Sequence, residues 1–284
     1  MSAAWDSADH PALDDIGPLG WALALIRGLV LATVVFTGLL VLLAIRLIER
    51  PLCGQGRPVT PYITQTVCYI AFWIMGLRRE VVGTPMRHRG AVVANHTSWL
   101  DIFSLNAAQR IYFVSKSEVA SWPGIGWLAK ATGTLFIERS PKHARKQTEI
   151  FQRRLLDNHR LLFFPEGTST DGKQVLPFKT TLFQSFFTPE LRDAIWVQPV
   201  TVLYTAPVGA DPRFYGWWGD MSFGGHLVRT LASARQGKVT TIYHTPLAVA
   251  DFDNRKTLAQ ACETQVRSAH PSDQIAAPNT AELR

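Results

Sequence analysis

Ala91-Val92-Val93-Ala94-Asn95-His96-Thr97-Ser98-Trp99-Leu100-Asp101 is the stretch that decides how this chain reads. Its first four residues are apolar and predict a short buried strand. Asn95 and His96 then stand where the strand ends. Ser98 and Asp101 form an S-x-x-D signal that opens a helix. Residues five apart on a regular helix diverge by about 140°. His96 and Asp101 therefore meet only if His96 lies in the turn and Asp101 in the first helical turn. In that geometry Asp101 accepts a hydrogen bond from one imidazole nitrogen, and the other nitrogen is basic and faces the cleft. Read alone, a histidine near a strand end is more often structural, and the aspartate can simply complete the helix cap.

Outward from this stretch the pattern repeats. Leu161-Leu162-Phe163-Phe164-Pro165-Glu166-Gly167-Thr168 again runs from an apolar strand into a polar turn. Pro165 fixes the strand exit and Gly167 permits a tight backbone. Glu166 and the loop amides are candidates to hold a hydroxylated, charged head group beside His96; an ordinary turn has the same composition. Further strands are expected at 111–114, 134–137, 196–203 and 239–244. Helices are expected at 99–108, 124–132, 142–158, 179–187, 222–235 and 255–268. The alternation predicts an α/β domain with a largely parallel central sheet flanked by helices. Trp127, Phe136, Phe163 and Phe164 are candidates to line an apolar channel, with core packing the competing role.

Together these segments resemble the glycerolipid acyltransferase family, of the lysophosphatidate acyltransferase type. The family's N-H-x-x-x-x-D motif is matched by Asn95, His96 and Asp101. Its G-x-x-F-x-x-R motif is matched by Gly133 to Arg139, its F-P-E-G-T motif by Phe164 to Thr168, and its proline-bearing strand by Ile195 to Val200. The four occur in the family's order, over residues 80 to 205 and more loosely to 250. The resemblance implies transfer of a fatty acyl group from a thioester to a lysolipid hydroxyl, with acyl-CoA or acyl-ACP as co-substrate and no other cofactor. His96 takes the hydroxyl proton, Asp101 orients it, and Arg139, Glu166, Gly167 and Thr168 bind the acceptor. Backbone amides near Gly167 are candidates for the oxyanion donors. Many lysophosphatidate enzymes carry arginine directly after Glu-Gly-Thr, where it grips a phosphate. Here that position is Ser169. Lys116, Lys173, Lys179 or Arg139 would have to substitute, or the acceptor has no phosphate. 1-Acyl-glycerol-3-phosphate is the leading acceptor, and lyso-ornithine lipid the alternative. An acyl-ester hydrolase and a non-catalytic membrane-binding module are remote alternatives, since no G-x-S-x-G elbow is present and His96, Asp101 and Glu166 are intact.

The composition points to a membrane. Of 284 residues, 47% are hydrophobic, and Gly28 to Ile45 carries no charge. As a helix that run spans about 27 Å, close to a hydrocarbon core of about 30 Å. It extends toward Leu23 if Arg27 snorkels. Asp6, Asp9, Asp14 and Asp15 precede it, whereas Arg46, Arg50 and Arg57 follow. The positive-inside rule then puts the catalytic domain in the cytoplasm, at the cell inner membrane. Tyr62 to Leu77 is too short to span and reads as an interfacial or core helix. The net charge of +7 favours anionic membrane lipids or an acidic acyl carrier protein. Arg139 to Arg160 is the densest basic region. Zinc-finger, helix-turn-helix and RNA-binding signatures are missing, so nucleic acid is not an expected partner. Cys53, Cys68 and Cys262 are too scattered for a metal site or a disulfide set, and no metal is expected. The expected organisation is a disordered start (1–19), a membrane anchor with an interfacial helix (20–79), the catalytic domain (80–269) and a disordered tail (270–284).

Overall fold

The computed structural model describes Trp5, Asp6, residues 16–138 and residues 144–271. Arg139, with most of the expected disordered ends, lies outside the described residues. The first helix, α1 (Pro18–Cys53), opens on a proline at its first turn and takes in the uncharged run. Pro51 sits in its last turn, so the helix continues three residues beyond Arg50 before Gly54, at φ 59°, ends it. Next comes α2 (Thr60–Met75), closed by Gly76 in the left-handed region, which favours glycine.

The strands are β1 (Arg78–Val82), β2 (Gly90–Ala94), β3 (Tyr112–Lys116), β4 (Leu135–Ile137), β5 (Leu161–Phe163), β6 (Trp196–Thr205), β7 (Lys238–Tyr243) and β8 (Leu247–Ala248). Between them lie α3 (Leu100–Ala108), α4 (Ile125–Thr132), α5 (Ala144–Leu156), α6 (Phe223–Ala232) and α7 (Arg255–Ser268). They form one sheet in the order β1-β7-β6-β2-β5-β3-β4, with β8 also on β6. Every pairing is parallel except β6 with β7 and with β8. The largely parallel α/β architecture is thus present, preceded by the apolar helix.

Two of these elements were not anticipated. In β1, Arg78-Arg79-Glu80-Val81-Val82 is mostly exposed and charged, the composition that protects an edge strand and hides it from a hydrophobicity search. β8 is only two residues long. The helix expected at 179–187 is instead a single 3-10 turn, Leu182–Phe186. Pro177 and Pro189 flank it, Thr180 and Thr181 disfavour helix, and Phe183 and Phe186 are drawn into the core. Pro199 is tolerated within β6 because it lies between the residues paired to β8 and those paired to β7, where no ladder donor is needed.

Strand β2 shows why the sheet is buried on both faces. Ala91 and Val93 join Phe151, Leu155, Leu258 and Val266 on the α5–α7 side. Val92 and Ala94 join Phe72, Leu100 and Leu105 on the α2–α3 side. All five residues of β2 are buried. Covered on both faces, a parallel strand reads as a continuous apolar run. The α1 helix packs lengthwise on α2 and α6, and Gly38 and Gly28 admit Val67 and Leu231 there. Arg27 does not snorkel: it donates to the Leu231 and Ser233 carbonyls at the end of α6, at 2.9 and 2.7 Å. The outward faces of α1 and α2 stay apolar, with Leu25, Leu29, Leu40, Leu47, Tyr69 and Trp73 exposed. α1 is the one helix among the described residues long and apolar enough to cross a membrane.

Candidate active site

Strand register brings the two sequence segments together. Val93 pairs with Phe163 and with Pro199. The third residue beyond each paired position on β2 and β5 is His96 and Glu166, so both leave the sheet level with each other. That edge is the carboxyl end of the parallel strands, where open α/β sheets place their ligands. The buried Asn95 side chain fixes the strand exit. Its amide donates to the Val202 carbonyl at 2.9 Å and accepts from the Val202 amide at 2.7 Å.

Asp101 is the second residue of α3 and is fully buried. Its Oδ2 accepts from His96 Nδ1 at 2.7 Å and from the Thr97 and Ser98 amides at 2.8 and 3.0 Å. The Ser98 amide bond is half of the expected capping box. Its Oδ1 accepts from the Tyr204 hydroxyl at 2.8 Å. Four donors to one carboxylate offset its burial and hold it charged-side toward the imidazole. Burial and the adjacent Asp101 push the Tyr204 phenol well above its ordinary value, so it remains a donor. Phe164 stacks on the other side of the site, its ring 3.9 Å from the His96 ring and nearly parallel. With Nδ1–H given to Asp101, Nε2 carries the lone pair, and the side chain is about 20% exposed. This arrangement can accept a proton from an incoming hydroxyl and hold the resulting imidazolium.

Glu166 departs from expectation. It is 1% exposed, and both oxygens are engaged by main chain: Oε1 accepts from the His96 amide at 2.7 Å, Oε2 from the Leu176 amide at 2.9 Å. Its carboxyl group therefore braces the two turns from behind and does not face an acceptor. Burial pushes it up to about 8, against the pull of those two amides. Gly167, at φ 74°, makes the tight turn, but its amide donates to the Phe164 carbonyl at 3.1 Å and is not available to an oxyanion.

Thr168 and Ser169 are partly exposed on the loop beyond. The Thr170 amide donates to the His96 carbonyl, and the Trp217 amide to the Thr97 carbonyl, both at 2.9 Å. Lys116 ends β3 at the same edge and is exposed, as is Lys179, whose amide donates to the Pro165 carbonyl at 2.9 Å. Phe163 is core, packed with Phe151, Phe183 and Phe186, whereas Trp127 is exposed. Tyr204 is the residue that sequence reasoning missed. It lies one position past the strand expected at 196–203, and only the register of β6 against β2 directs it to Asp101.

A family model described as Acyltransferase matches residues 78–203, the span that holds both turns. The chain is 61% identical over 243 residues to a lyso-ornithine lipid O-acyltransferase of Rhodobacter capsulatus, covering 86% of this chain and 88% of that one. The chain belongs to the acyltransferase family. A second relative, a 1-acyl-sn-glycerol-3-phosphate acyltransferase of Neisseria gonorrhoeae, is 40% identical over 98 residues, 33% of this chain and 37% of the relative. Among solved structures, the acyltransferase PlsC of Thermotoga maritima shares the fold with a TM-score of 0.58 at 20% identity, covering 89% of this chain and 98% of that one.

Proposed function

We propose that this acyltransferase moves a fatty acyl group from a thioester, on coenzyme A or acyl carrier protein, to the hydroxyl of lyso-ornithine lipid. One observation carries the reaction: His96, held by a buried and fully bonded Asp101, presents a free Nε2 at the sheet edge. As the acceptor oxygen attacks the thioester carbonyl, Nε2 takes the hydroxyl proton. Asp101 and Tyr204 hold the charge on the imidazolium. The tetrahedral intermediate then expels the thiolate, and the proton passes from His96 to its sulfur. Main-chain amides of Thr168 and Ser169, on the partly exposed loop beyond Gly167, are the candidates to bind the oxyanion.

The acceptor assignment reverses the order expected from sequence. Likeness to the Rhodobacter relative runs along most of both chains, whereas likeness to the Neisseria relative is confined to about a third. Ser169 points the same way, because an acceptor without a phosphate does not need the arginine it replaces. The exposed apolar faces of α1 and α2 support insertion into a bilayer, and the arginine asymmetry supports the cytoplasmic side of the inner membrane.

The test offers the full chain a panel of lysolipids with one labelled acyl thioester. Labelled ornithine lipid as the main product supports the assignment. Labelled phosphatidic acid as the main product overturns it, and labelled free fatty acid alone would indicate a hydrolase.

A further inference from the structure

On the opposite edge of the sheet from His96 lies a cavity of about 390 Å³, where α2, the β1–β2 loop, the end of α3 and the start of β5 meet. Gln65, Met86, Arg87, Gln109, Arg110 and Arg160 line it, and no carboxylate does. Among the described residues no acid pairs with any of these three arginines. Arg160 is anchored by neutral groups. It donates to the His88 carbonyl at 3.3 Å. With its amide oxygen turned toward Arg160, Gln109 accepts at 3.0 and 3.3 Å. Burial and then the Arg110 charge lower Arg160's affinity for its proton. Arg160 and Arg110 repel one another across this cavity, and an oxyanion entering beside them and Arg87 relieves that repulsion.

The position of the cavity narrows the source of the anion. Arg110 stacks on Tyr62 of α2, its guanidinium carbon 4.1 Å from the ring centre. Farther along the same helix the Tyr69 ring lies 5.3 Å from the guanidinium carbon of Arg79, on β1. Tyr62, Tyr69, Ile70 and Trp73 form the exposed apolar stripe of α2, with Trp73 85% exposed. Arginines that border an exposed aromatic stripe are placed at head-group depth when that stripe is in lipid.

We propose that the Arg87–Arg110–Arg160 cavity binds the phosphate of an anionic phospholipid and so holds the α2 side of the domain against the membrane. This site is separate from the acyl-transfer site and uses none of its residues.

The experiment is flotation of the full chain with phosphatidylcholine vesicles, with and without 30% phosphatidylglycerol. The Arg110→Gln/Arg160→Gln variant is compared with Arg153→Gln/Lys256→Gln, which removes equal charge from two exposed sites elsewhere. The expected result is that the first variant loses most of the phosphatidylglycerol-dependent gain, about tenfold, and keeps binding to phosphatidylcholine. The second keeps the gain. Arg87→Gln, a single change in an exposed loop, gives a partial loss and covers the case in which the double variant does not fold. An equal loss in both double variants would overturn the site in favour of diffuse charge. Abolition of the gain by millimolar inorganic phosphate, at constant ionic strength, would overturn the lipid assignment in favour of a soluble anion.

Discussion

The turn after β2 and the turn after β5 begin alike and end differently. Each follows three consecutive apolar residues paired in the sheet, and each places a titratable side chain three positions beyond the same register line. His96 keeps one ring edge exposed and one bonded to Asp101. Glu166 turns inward and spends both oxygens on main chain. A carboxylate with two oxygens can tie two segments of backbone together; an imidazole with one nitrogen anchored still has the other to offer. The chemistry therefore belongs to the first turn and its support to the second.

That division can be broken most severely at His96. His96→Ala removes the proton acceptor, and transfer is expected to fall about 10³-fold or more while vesicle binding is unchanged. Asp101→Asn is expected to cost about 10²-fold in kcat. An amide facing Nδ1 no longer favours a proton there, and the wrong tautomer then faces the acceptor. Tyr204→Phe deletes one of the four bonds to Asp101. A single charge-assisted bond is worth about 1.5–3 kcal/mol, and about a tenfold fall in kcat with little change in KM is expected from steady-state rates. Ser169→Arg is the mildest change. It should raise the use of lysophosphatidate relative to lyso-ornithine lipid by a few-fold in a competition assay, and an unchanged ratio would remove position 169 from the account of acceptor choice.

Much of this was legible in the sequence, for reasons the particular residues make plain. Ala91 to Ala94 and Leu161 to Phe163 are buried on both faces, so apolarity alone marks them. The spacing of His96 and Asp101 admitted one geometry, turn then first helical turn, and that geometry is present. Spacing does not disclose which way a side chain points from a turn. The composition of its turn and the family resemblance both place Glu166 at the acceptor; the two amides that capture it come from 70 residues back, at His96, and ten residues on, at Leu176. Tyr204 was invisible for a similar reason, since its partner lies 103 residues away. The edge strand β1 and the 3-10 turn at Leu182–Phe186 were missed because their composition reflects exposure or long-range packing more than local propensity.

The most direct measurement pairs thermal unfolding with lysolipid transfer in His96→Ala and Glu166→Gln. His96→Ala should unfold within about 3 °C of wild type, a shift of roughly 1 kcal/mol, and transfer about 10³-fold more slowly, or slower still. Glu166→Gln turns an amide NH2 toward a main-chain donor, which costs about 1–3 kcal/mol, while transfer per folded molecule stays within about tenfold of wild type. The pH dependence carries the same signature. Glu166 ordinarily titrates near 4.5 and in the fold near 8. Between those values the folded chain holds a proton that the unfolded chain has released. Its contribution to stability is greatest below about 4.5 and is lost as pH rises through 8, so the wild type's advantage over Glu166→Gln should shrink across that window. If Glu166→Gln instead keeps wild-type stability at every pH and abolishes transfer, Glu166 is a reacting group and the division between the two turns is wrong.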